Sequence, residues 1–342
     1  MAQHRGAAVL FFEVYWLDVD GEPVGPGYVY VRGGVVEAVE PGEPPEEMQY
    51  AEMVAGGPGR LVLPGLLLGP VVPETYVLRG LVGPGDALGL LRGEGWAAEA
   101  VASMSGAEAY HAALMMFYEA AVEGYTAVVA VTPHPIEVAR ALDAAGLWGL
   151  VLAPRGCGAL DAEPPAGDAL PGEARVSIGV LDCTPRPGPG AFRLTGEGLI
   201  EAPGGDRFEP PPWRGRGAPA PVTAAAASPW PMFSGLTHPE PREAYRWLAW
   251  RGYRLLPGHE AYEPLRGPAS LVVLDYSEPP GWLPEPAGVE ALGPARPRVE
   301  TVMSRGRMVV DGEEHLYLGR SAAEEAARTL RGLRGRLARK NA

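Results

Sequence analysis

The chain has 342 residues, 46% of them hydrophobic and 21% charged, a composition that describes a globular protein with enough material for a buried core. Its formal net charge of −13 repels phosphate backbones and anionic lipid, so neither nucleic acid nor a membrane is an expected partner. Its two cysteines, Cys157 and Cys183, set no disulfide framework; the apolar runs, such as residues 61–68, are too short to span a bilayer, and residues 1–10 hold no export core. A cytoplasmic location is therefore expected.

In chain order, residues 8–17 form an apolar and aromatic run that predicts a strand. Residues 28–31 and 35–39 flank Arg32-Gly33-Gly34, which predicts a β-hairpin. Asp18, Asp20 and Glu22 form an acidic cluster, read as a solvated turn. Residues 107–123 predict a helix: Tyr110, Ala113, Leu114, Phe117 and Ala121 recur on one face, and Gly124 stops it. His111 lies beside that stripe and reads as a surface or satisfied histidine. A strand–helix–strand unit follows, with a β-branched strand over 126–131, a helix opened by Pro135, and a strand over 147–153. Its short joins imply parallel strands. A strand over 175–181 ends at Asp182-Cys183-Thr184. Residues 192–194 and 199–202 predict another hairpin, 203–221 a Pro/Gly-rich loop, and 222–227 a last core strand ending at Ser228-Pro229-Trp230-Pro231. Residues 269–275 (ASLVVLD) predict a buried strand, 299–303 and 307–310 a hairpin, and 322–338 a final helix with Ser321 and Glu324 as a capping box. Neither end carries enough strands for a stable sheet alone, so both are expected to join in one small β-domain.

A β-domain built from both chain ends around a (β/α) core resembles the amidohydrolase superfamily. Residues 61–66 (LVLPGL) resemble that family's first barrel strand and its Pro-Gly turn. Residues 69–80 (GPVVPETYVLRG) resemble its segment that begins Ala-His-Thr-His and ends Leu-Arg-Gly. Residues 96–126 resemble the helix and Gly-Thr-Thr that follow, here Gly124-Tyr125-Thr126, and 269–275 resemble its Ala-Asp-Leu-Val-Val motif. The branch resembled most is that of the chlorohydrolases and the adenosine- and S-adenosylhomocysteine-type deaminases. The resemblance implies an α/β protein. An incomplete or distorted (β/α) TIM-like barrel is expected over residues 61–265, a small β-domain over 1–60 plus 266–320, and a C-terminal helix over 321–342.

The same resemblance removes the family's chemistry. Its members hold zinc or another divalent metal with two histidines one residue apart at the end of the first strand, where alternate residues face the same way. Those positions are Pro70 and Val72 here, and the family's metal-binding Asp at the end of the last strand aligns with Pro229. A zinc-bound water ionises near pH ~7, but only three or four converging donors hold the ion. No metal cofactor is therefore expected. The core is also shorter than the ~250 residues of a typical TIM barrel. An incomplete barrel leaves strand edges that loops or a second copy must cover, which motivates a homodimer.

The remaining polar residues offer two readings. His134, Asp182, Cys183 and His238 follow predicted strand ends, where barrel sites lie, and Glu74 and Arg79 follow the first strand. They converge on a relocated pocket, or they are ordinary: His134 as a helix cap, His238 as a loop residue, Cys183 as a small apolar residue, Glu74 as a solvated carboxylate. Trp230, Trp247 and Trp250 read as core, or as a stacking site for a flat ligand. The functional expectation is a metal-free, non-catalytic amidohydrolase-like protein that binds a small molecule or serves as structural partner of an active paralogue. The alternative is a hydrolase or deaminase acting on C–N bonds of a cyclic or purine-like substrate through the relocated site. The scarcity of Lys, Asn and Gln fits either heat adaptation or a GC-rich genome.

Overall fold

A computed structural model describes residues 7–82, 87–163, 175–194, 200–203, 207–208, 240–259, 262–279, 281–283 and 288–341. The predicted strand at 222–227, together with Pro229, Trp230 and His238, lies outside them.

The N-terminal strands are β1 (Ala8–Leu17), β2 (Pro23–Arg32), β3 (Val35–Pro41), β4 (Met53–Gly56) and β5 (Arg60–Pro64). A second series follows: β6 (Leu66–Val71), β7 (Tyr125–Val131), β8 (Trp148–Arg155), β9 (Val176–Asp182), β10 (Phe192–Leu194), β11 (Ile200–Glu201) and β12 (Arg207–Phe208). The chain then returns with β13 (Gly267–Pro268), β14 (Leu271–Asp275), β15 (Arg298–Ser304), β16 (Arg307–Asp311) and β17 (Glu314–His315). The helices are α1 (Ala87–Leu91), α2 (Gly95–Ala102), α3 (Gly106–Val122), α4 (Pro135–Ala144), α5 (Pro241–Ala249), α6 (Val289–Ala295) and α7 (Arg320–Asn341).

Both chain ends build one 10-stranded sheet in the order β13-β3-β2-β1-β5-β14-β15-β16-β17, with β4 added beside β1. The predicted hairpins are its β2–β3 and β15–β16 pairs. Residues 61–63 belong here, not to the barrel. Val62 pairs with Trp16 of β1 and Val273 of β14, so the first strand of the curled sheet is Leu66–Val71. The chain crosses between the sheets at Gly65. A Cβ there would meet Thr126 Oγ1 at 2.2 Å and the Tyr253 hydroxyl at 2.7 Å, so this crossing requires glycine. Ser304 fastens the sheets further: its hydroxyl donates to the Thr126 carbonyl at 2.7 Å and accepts the Trp148 N–H at 2.9 Å.

The second sheet has 7 strands in the order β12-β11-β10-β9-β8-β7-β6. Strands β6 to β10 run parallel, and β11 and β12 turn back antiparallel. It is a curled half-barrel. Strands β6 and β7 are buried throughout, as parallel strands covered on both faces must be, which explains their unbroken apolar sequences. Helix α3 packs on α4, α7 and the 3-10 turn Pro73–Leu78. Its start is held by Ser105 and Glu108 in a capping box. Glu108 also accepts from Arg336 of α7 at 2.9 Å, which with the Ser105 bonds holds its carboxyl down at about 2. Ala326, Leu330, Leu333 and Leu337 make the buried stripe of α7, which begins one residue before Ser321. The acidic turn after β1 is a docking point. Asp20 pairs with Arg246 at 2.7 Å and Glu22 with Arg242 at 2.5 Å, both on α5.

Candidate functional site

Parallel strands carry their useful side chains at their C-terminal ends, and here β6, β7, β8 and β9 end side by side. In β6 the pairing with β7 is irregular between Leu68 and Val71. Gly69 takes φ +148°, and a Cβ on it would meet the Val129 carbonyl oxygen at 2.6 Å. This bulge sets the direction of the chain into Pro70, Val71 and Val72, all buried.

Glu74 follows within the turn Pro73–Leu78 and is 0% exposed. Its Oε1 accepts a hydrogen bond from the hydroxyl of Thr132, which follows β7, while its Oε2 is buried with no partner. Burial pushes the carboxyl up to about 7, against the weaker pull of the Thr132 hydroxyl and a backbone N–H. Thr132 Oγ1 in turn accepts the His134 N–H at 2.8 Å. His134 occupies the N-cap position of α4, but its side chain makes no cap bond. Its Nε2 lies 3.3 Å from the Val101 carbonyl oxygen on α2. Glu74, Thr132 and His134 therefore form one cluster across the ends of β6 and β7.

A second cluster closes the ends of β8 and β9. Asp182 is 1% exposed and accepts from Arg155 at 2.5 Å, from the Thr184 N–H and hydroxyl at 2.9 and 2.6 Å, and from the Gly188 N–H at 3.0 Å. Burial opposes its charge, but the bonds from Thr184, Arg155 and Gly188 outweigh it and hold the carboxyl well below the usual range. Its acceptor sites are filled, so it is a structural anchor. Cys183 is not a free thiol: it is bonded to Cys157, with Cα atoms 5.2 Å apart. The expectation of two unpaired cysteines is corrected. The register explains it, since Arg155 pairs with Asp182 and sets the next turns of the two strands together. His134 and Asp182 are thus separated by β8 and belong to different clusters.

The other singled-out residues have local roles. Arg79 lies over the Tyr76 ring at 4.2 Å and pairs with Glu119 of α3. His111 bonds back to the Ala107 carbonyl at 2.8 Å. Trp247 is buried in the core. His315 is buried against Tyr118, and its Nδ1 accepts the N–H groups of Tyr317 and Leu318; burial, helped by the nearby Arg307 charge and opposed by a backbone bond at Ala145, lowers its pKa to about 4. A groove of about 900 Å³ is lined by Trp250, Arg254, His259 and both Tyr253 and Tyr262. Tyr253 is bonded to Thr126, near the start of β7, so the groove lies at the other end of that strand from Thr132. Both tyrosine hydroxyls are spent, on Thr126 and on the Ala249 carbonyl.

The described residues do not fit a catalytic metal ion. The side chains of Pro70 and Val72 carry no ligand atom, Glu74 stands with a hydroxyl and no second acid, and no three His, Cys, Asp or Glu side chains among the described residues converge as ligands. Thr132 and the Cys157–Cys183 bond are the parts that sequence reasoning missed. Thr132 ends a run of β-branched residues and looks like part of the strand.

No protein-family profile matches the sequence, and no curated protein does. Solved structures do match in shape. A triazine hydrolase from Arthobacter aurescens shares a TM-score of 0.68 at 14% identity, over 96% of this chain and 99% of that one. An amidohydrolase from an environmental sample of the Sargasso Sea shares 0.63 at 14%, over 95% and 98%. An adenosine deaminase from Xanthomonas campestris with bound zinc shares 0.60 at 13%, over 96% and 98%. The atrazine chlorohydrolase from Arthrobacter aurescens TC1, also complexed with zinc, shares 0.66 at 14%, over 95% and 100%. The expected α/β fold with an incomplete TIM-like barrel is present as a curled half-barrel sheet beside the terminal β-sheet, and the shape it matches is that of these TIM-barrel proteins.

Proposed function

We propose that this chain, which carries the amidohydrolase fold, binds a small polar molecule at the C-terminal ends of β6 and β7 and does not run zinc-dependent hydrolysis. One observation carries the reading. The positions at the end of the first barrel strand are Pro70 and Val72, buried and with side chains that have no lone pair to give a metal. Elemental analysis of protein purified without chelator, beside assays of the zinc-supplemented protein on chlorotriazines and adenosine, tests it. The reading expects far less than one zinc per chain and no turnover above buffer. Stoichiometric zinc with turnover would contradict it.

The buried carboxyl of Glu74 favours a second reading. A group pushed up to about 7 can both give and take a proton at neutral pH, which suits an acid–base catalyst acting on a C–N bond without the family's metal site. Turnover that survives zinc removal and disappears in Glu74→Gln would favour it. A homodimer is also proposed, since β6 and β12 end the curled sheet among the described residues. Light scattering that gives a monomer mass at micromolar concentration would contradict the dimer. No helix among the described residues is long and apolar enough to cross a membrane.

A further inference from the structure

Buried polar atoms in folded proteins are almost always partnered, because an unmet acceptor forfeits its hydration without return. The unmet Oε2 of Glu74 breaks this rule at the face where barrel proteins keep their ligands. It is not a general looseness of that face. Asp182, at the ends of β8 and β9, has a donor for each acceptor site it uses.

We infer that Glu74 is the recognition group for a small planar cation with two parallel N–H donors, of the amidinium or guanidinium class. The inference rests on the ligand-binding reading above and names the ligand's chemistry. Three observations converge. Oε2 has no hydrogen-bond partner and Oε1 takes one bond, from the Thr132 hydroxyl, so both carboxylate oxygens keep acceptor capacity for a two-point donor. Thr132 fixes the plane of the carboxylate and is itself held by the His134 N–H, so the edge is pre-oriented. Among the described residues no cation pairs with Glu74, whereas Asp182 has Arg155 and Asp275 has Arg298 and Arg60. A planar cation supplies that missing charge, and the net charge of −13 raises the local concentration of cations.

Acetamidinium is the probe, and acetamide is its neutral twin of nearly the same shape. Calorimetric titration and melting temperature at pH about 8 are the readouts. The expected result is saturable binding of acetamidinium, at least about tenfold weaker binding of acetamide, and loss of acetamidinium binding by about tenfold or more in Glu74→Gln. Glu74→Gln keeps the shape and removes a buried charge, so it should fold; the twin-ligand comparison in the wild type stands without it. No saturable binding of acetamidinium, or equal binding of the two ligands, would overturn the inference. Adenosine or an aminotriazine that binds the wild type while acetamidinium does not would overturn it and leave the ligand-binding reading in place. Turnover by a zinc-loaded protein would instead remove that reading.

Discussion

Two buried carboxyl groups lie at the same face of the curled sheet and have opposite fates. Asp182 sits where β8 and β9 end in register, so turn N–H groups, a hydroxyl and Arg155 all reach it. Glu74 sits past the β6 bulge among buried apolar residues and finds one hydroxyl and a backbone N–H, with Oε2 left unmet. The same chemical group is an anchor in one corner and an unsatisfied acid in the other. Position on the fold does not decide which; the number of donors within reach does. The first corner is finished structure, and the second is where a ligand has something to complete.

The largest expected effect sharpens the finished corner. Opening the Cys157–Cys183 bond, by reductant or by serine at both positions, should cost about 3.5 kcal/mol, because the bond closes a loop with a separation of 26 residues. Thermal unfolding with and without reductant measures this, and unchanged melting would remove the bond from the account.

The next effect separates the corners by pH. The folded pKa of Glu74 is raised from 4.5 to about 7, so the stability it contributes is full below pH 4.5 and is lost as pH rises through 7, a swing of about 3 kcal/mol. His315 runs the other way. Its pKa is lowered from 6.5 to about 4, so its contribution is present above pH 6.5 and is lost as pH falls towards 4. The two slopes oppose each other in the overlap. Glu74→Gln should therefore become more stable relative to wild type as pH rises from about 4 to about 8, which urea unfolding at each pH measures. A constant difference between the two proteins would contradict the assignment.

Smaller effects follow. Asp182→Ala should destabilise by about 2.5 kcal/mol at neutral pH; the donors it strands are half-buried and Arg155 can turn to water, which limits the cost. Thr132→Val should cost about 1 kcal/mol and push the Glu74 carboxyl further up, since it removes the one side-chain donor on it. An unchanged titration in that variant would mean that the hydroxyl does not reach Glu74.

The sequence made the architecture readable where local signals were strong. The Gly-stopped helix, the Pro-opened α4, and the two outer hairpins come from turn chemistry and periodicity that act within a few residues. What misled was a boundary without a local marker of sheet identity. Residues 61–63 read as the first barrel strand ended by the Pro64-Gly65 turn, yet they pair in the terminal sheet and the curled sheet starts at Leu66; only the close approach of Thr126 and Tyr253 to Gly65 reveals the crossing. The Ser105–Glu108 capping box was open to reading and marks the true start of α3. The apolar identity of Pro70 and Val72 was plain from residue type alone. The burial of Glu74, the pairing of Arg155 with Asp182, and the docking of α5 on the acidic turn depend on contacts between distant segments, and no short window carries them.

The contrast between the two carboxyls can be read directly by carboxyl-carbon NMR titration of protein with labelled Glu and Asp, assigned with Glu74→Gln and Asp182→Asn. The account predicts a Glu74 midpoint of about 7 and an Asp182 midpoint well below the usual carboxylate range. A Glu74 midpoint at the ordinary 4.5 would mean that Oε2 is satisfied after all, and the ligand site built on it would go with it.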